Sequence, residues 1–75
     1  MQLILAKQGE YLEIKEFTGG ASARMRLLSM GLRVGDKINI ITNLNKGQMV
    51  VAVDYNRYVL GRGLAQKILV EPVRK

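Results

Sequence analysis

Apolar and polar positions alternate along several short stretches of this chain and recur at helical spacing along one. From Glu10 the side chains alternate, with Leu12 and Ile14 on one side and Glu13 and Lys15 on the other. That pattern predicts a half-buried strand running to Phe17. Ile38 and Ile40 alternate against Asn39 in a second strand over Lys37–Thr42, and Gln48–Val53 is the most strand-like run of all. Tyr58–Leu60 and Ile68–Glu71 predict two more, the last ended by Pro72, which has no N–H for a ladder bond. Between them, Asn43–Gly47 reads as a hairpin loop with glycine at positive φ, and Asp54–Arg57 as a turn. Gly61–Gly63 interrupts the chain, leaving Leu64–Lys67 room for one helical turn. An apolar patch and a turn at Gln8-Gly9 precede the first strand.

The one convincing helix spans Ala21–Met30, where Ala, Arg, Met and Leu dominate without Pro or Gly. Gly19 and Gly20 break the preceding strand. Gly31 stands where a left-handed residue would close the helix, with Leu32 placed to fold back on the last turn. Gly35, followed by Asp36, launches the next strand. At about 100° per residue, Ala23, Leu27 and Met30 form the core stripe, while Ser22, Arg26 and Ser29 face water. Arg24, Met25 and Leu28 lie on a third face. Apolar helical residues are usually core, so the domain is expected to wrap the helix on two sides, Leu28 more than Met25. The other reading is an exposed Met/Leu/Arg surface for a partner.

Five short strands, hairpin turns and one helix predict a mainly β fold. The expected form is a small SH3-like five-stranded barrel, with the Ala21–Met30 helix between strands 1 and 2 and a helical turn before strand 5. A split, open α+β sheet is the alternative. At 75 residues the chain is a single domain, 1–75, and 48% apolar content supports a real core. Leu27, Ile38, Ile40, Val51 and Val53 are its expected interior.

Composition narrows the chemistry. The chain has neither cysteine nor histidine, which removes disulfides, thiolate metal sites, the commonest metal ligand and the usual general base. Gly19-Gly20 lacks the Gly-Lys-Ser/Thr of a phosphate loop. Thr18, Ser22 and Ser29 have no base beside them, and alternation sets Glu13 on the opposite face from Glu10 and Glu16. An enzyme is not expected. Lys and Arg number 12 against 6 Asp and Glu, a net charge of +6 that favours an acidic partner without choosing one. The Leu3–Ala6 apolar run is far shorter than the ~20 residues of a membrane span and lacks a signal peptide's charged start. A soluble cytoplasmic protein is the expectation.

Arg26–Asp36, together with Leu60-Gly61-Arg62 and Ala65, resembles the FeoA family of small ferrous iron transport accessory proteins. Leu3, Ala6-Lys7, Gly9-Glu10, Ile14, Gly19-Gly20, Arg24, Val50-Val51 and Ile68 extend the resemblance over nearly the whole chain. Val34 departs from it where the family commonly has proline, and Gly63 where a more helix-compatible residue is usual. The resemblance implies an SH3-like barrel. It also implies a cytoplasmic partner role with FeoB, the membrane GTPase transporter of Fe(II), placing the protein at the inner membrane through that partner. The same domain type occurs fused to iron-dependent repressors, so a domain that binds a transition metal is the second reading. Without His or Cys, only carboxylates, carbonyls and methionine thioethers remain for Fe(II), and weak binding at most is expected. A basic nucleic-acid-binding barrel is third, since Tyr11, Phe17, Tyr55 and Tyr58 form no aromatic–basic cluster. The expected transporter-docking face is Arg24, Met25, Leu28 and Arg33, with Gly19, Gly20, Leu27, Gly31 and Gly35 as structural residues.

Overall fold

The computed structural model describes residues 1–43 and 47–73. A 3-10 turn at Leu3–Leu5 leads to β1 (Tyr11–Phe17), α1 (Gly20–Met30), β2 (Lys37–Asn43) and β3 (Gln48–Val53). β4 (Asn56–Gly61), α2 (Arg62–Ala65) and β5 (Ile68–Pro72) complete the order. All five strands are antiparallel neighbours in one sheet, ordered β4-β3-β2-β1-β5. The mainly β, SH3-like expectation stands. The sheet does not close on itself, because β4 and β5 are not hydrogen-bonded neighbours. Instead α2 leaves the end of β4 and packs against β4, β3 and the 3-10 turn. The N-terminal segment completes the cover: Asn43 donates its side-chain N–H to the carbonyls of Ile4 and Ala6, at 2.9 and 2.7 Å.

The core follows the alternation. Leu12 and Ile14 from β1, Ile38 and Ile40 from β2, Met49 and Val51 from β3, and Ile68 and Val70 from β5 are buried together. Leu27 joins them from α1 with no exposed surface, and Val53 packs at the margin. Two strands break step, β2 against β3 between Ile40 and Thr42 and β1 against β5. The β1–β5 register shifts between Ile14 and Glu16, so this bulge turns Lys15 and Glu16 both outward and Phe17 inward. Strict alternation, which set Glu16 opposite Glu13, is corrected here.

Element ends differ from expectation by a residue or two, for local reasons. The turn before β4 is only Asp54-Tyr55, with Asp54 at φ 53, a region Asp tolerates, so β4 begins earlier. The helical turn runs Arg62–Ala65 rather than Leu64–Lys67, since Gly61 is still extended strand and Ala65 is buried beneath it. α1 starts at Gly20, one residue early, with Gly19 in the left-handed region at its N-cap. Gly47 has the positive φ expected of the hairpin loop, whose centre (44–46) lies outside the described residues, as do Arg74 and Lys75.

Candidate functional site

The site expected from the sequence is the outer face of α1 and the turn that follows it. Two local devices fix that turn. Gly31, at φ 102, closes the helix as the sequence requires: its N–H bonds the Leu28 carbonyl at 3.0 Å and that of Leu32 bonds Leu27 at 3.1 Å. Those are the paired bonds of a Schellman cap, and Leu32 is buried as its apolar partner. Next, Arg33–Asp36 forms a β-turn with Gly35 at φ 97. The Asp36 carboxylate accepts the Arg33 N–H at 2.8 Å. The turn then locks onto β1, the Gly35 N–H bonding Ile14's carbonyl and the Ile14 N–H bonding Asp36's carbonyl, each at 2.8 Å.

α1 buries Ala23 and Leu27 and nothing on its third face. Met25 is 66% exposed and Leu28 44%, so the expectation that Leu28 completes a second core side is corrected. The helix meets the sheet through β1 alone among the strands it packs on closely, which leaves one stripe to bury. Arg24, Leu28 and Arg33 border a shallow groove of ≈ 510 Å³ together with Lys15, Glu16, Phe17 and Val34. Met25 does not line it. The sequence reading missed Lys15, Glu16 and Val34 as members. The adjacent polar pair before Phe17 was the available signal, since it breaks the two-residue period where a bulge must sit.

Of the structural glycines, Gly19 is constrained twice. It lies at φ 87, and a Cβ there would fall 2.5 Å from the Lys67 side chain. Gly20 is also at positive φ, with open space around it.

Elsewhere the ionisable groups are paired along β1 and β5. Lys15 Nζ donates to Glu13 Oε2 at 2.9 Å and stands 4.0 Å from Glu71, which faces Glu13 across the ladder. The hydrogen bond from Lys15, then its charge, holds the Glu13 carboxyl below its ordinary value. Glu10 accepts the Lys7 N–H at 2.6 Å. Among the described residues no three acidic side chains converge as a metal cluster would require. Nor is any described helix long and apolar enough to cross a membrane.

Comparison with known proteins decides the family: a model described as the FeoA domain matches residues 1–72. This chain belongs to the FeoA family. A curated relative from Methanocaldococcus jannaschii, provisionally named Fe(2+) transport protein A, is 41% identical over 69 residues. That match spans 92% of this chain and 83% of the relative. The crystal structure of an iron uptake regulatory protein, FeoA, superposes with TM-score 0.89 at 29% identity, covering 97% of both chains. A manganese-dependent transcriptional repressor carries the same fold in 41% of its length, with TM-score 0.90 at 20% identity over 97% of this chain. That last likeness concerns fold alone.

Proposed function

We propose that this FeoA-family chain is a non-enzymatic, cytoplasmic accessory protein of ferrous iron transport. It acts by contact with the cytoplasmic portion of an FeoB-type transporter and meets the inner membrane through that partner. The observation that carries the reading is the 41% identity, over nearly the whole chain, to a relative named for Fe(2+) transport. The surface supports it: Arg24, Met25, Leu28 and Arg33 all stand outside the core, and the domain needs none of them for packing. Exposed Met and Leu flanked by Arg have the composition of an interface.

The test is a capture experiment with the transporter's cytoplasmic domain, run on the wild type and on Arg24→Ala, Met25→Ala and Leu28→Ala beside their thermal melts. Lost capture at unchanged melting temperature supports docking through α1. Wild-type protein that captures no transporter fragment overturns the reading.

A further inference from the structure

We infer that the groove between β1, α1 and the Arg33–Asp36 turn receives an extended acidic segment of the partner, its carboxylates meeting Arg24 and Arg33 and an apolar side chain resting on Leu28 and Val34. This rests on the docking role proposed above and names the chemistry of what docks. The lining is amphipathic. Leu28 and Val34, 44% and 56% exposed, form the apolar part with the edge of Phe17. Arg24 and Arg33 supply two cations against the single carboxylate of Glu16, while the Lys15 ammonium is already bonded to Glu13.

The two arginines are open to a ligand. Among the described residues, neither guanidinium takes part in an ion pair. The nearest carboxylate in sequence, Asp36, is committed to the Arg33 backbone N–H instead. Guanidinium forks match carboxylates bidentately, and weakly hydrated arginine loses less on desolvation than lysine. Both walls are rigid before anything binds. The Schellman cap fixes one, and the Gly35–Ile14 and Ile14–Asp36 backbone bonds fix the other, which lowers the ordering cost of association. A nucleic acid would want an exposed aromatic platform here, and the groove's only ring, Phe17, is buried in the core.

The probe is a short fluorescein-labelled peptide alternating glutamate and leucine. Controls are a lysine/leucine peptide, a glutamate/serine peptide and a single-stranded RNA. Binding is followed by anisotropy and by amide shifts of isotope-labelled full chain. The glutamate/leucine peptide should shift Lys15–Phe17, Arg24, Leu28, Arg33 and Val34, and weaken as salt rises from about 0.05 to about 0.5 M. Arg24→Gln and Arg33→Gln should each weaken it roughly two- to fivefold, the range of exposed ion pairs. Glu16→Gln should tighten it, and Arg26→Gln, an exposed charge outside the groove lining, should leave it unchanged.

Equal binding of the lysine/leucine or glutamate/serine peptide, tighter binding of the RNA, or shifts away from the groove would each overturn the inference. The same variants and Met25→Ala, offered to the transporter domain, separate the two claims. Capture lost only with Met25→Ala would leave the transporter role standing and remove the groove from it. Peptide filling the groove without any transporter capture would keep the acidic-segment chemistry and remove the transporter as its source.

Discussion

Gly31→Ala isolates the requirement that ends α1. At φ 102 an alanine pays the left-handed penalty, about 1–2 kcal/mol. The new Cβ would also stand 3.1 Å from the hydroxyl oxygen of Tyr58 on β4. Tyr58 is half-buried against the core, so pushing its ring aside adds about 0.5–1 kcal/mol, the scale of an off-rotamer side chain. Together these cost roughly 2 kcal/mol. A domain of 75 residues has about 4–11 kcal/mol in total, so the variant stays folded and measurable. Melting should drop by about 8–16 °C in a circular-dichroism scan, at about 4–8 °C per kcal/mol. Tyr58→Phe removes the oxygen and leaves the ring carbon at 4.0 Å, an ordinary contact. In that background Gly31→Ala should cost only the backbone strain. A drop below about 3 °C would refute the positive-φ requirement, and equal costs in the two backgrounds would refute the Tyr58 contact.

Two further outcomes follow from the turns and pairs. Val34 is the second residue of the Arg33–Asp36 turn, whose third residue, Gly35, has positive φ, the geometry in which proline is favoured at the second position. Val34→Pro should raise stability by about 0.4–1 kcal/mol through the unfolded chain, and a lowered melting temperature would show that the turn rejects proline. The second concerns acid. Lys15 depresses the Glu13 pKa below 4.5 in the folded state, so this stabilisation is present above 4.5 and is lost as pH falls through the folded value. Lys15→Met also leaves Glu13 and Glu71 facing each other unscreened, so its melting deficit should shrink from about pH 6 to about pH 3; a deficit constant with pH would refute the assignment.

What the sequence disclosed was whatever local chemistry decides. Gly31-Leu32 carries its own stop signal, because positive φ needs glycine and the next residue needs to be apolar. Gln48–Val53 needed only its own composition to declare a strand. Where distant packing decides, the pattern misled. Gly63 argued against helix at Arg62–Ala65, yet burial of Ala65 at the end of β4 outweighs one residue's propensity. Leu28 looked like core because a helix pattern records polarity and not how many neighbours arrive; α1 packs most closely on β1, and the face carrying Met25 and Leu28 stays exposed. β4 and β5 are consecutive in the chain, yet β5 takes β1 as its neighbour instead, and that pairing joins opposite ends of the chain, which no window of sequence contains. Arg24 and Leu28 were found on a helix face with Arg33 just beyond its end, but the β1 wall opposite them was not, since the bulge that turns Lys15 and Glu16 outward shows only in the ladder.

The position of β5 beside β1 has a kinetic consequence. β2, β3 and β4 follow one another with short connections, so their ladders close small loops. The β1–β5 ladder, from Leu12 with Pro72 to Phe17 with Ile68, ties the beginning of the sheet to its end and must close most of the chain at once. Such non-local pairing slows folding. Until it forms, β1 offers Leu12, Ile14 and Phe17 along an unpaired edge, which invites association between chains. Refolding at high concentration should therefore lose more material than refolding when dilute, and pulse-labelled exchange should protect Val51 before Val70. A strand interior to the finished sheet is thus the exposed edge of the unfinished one.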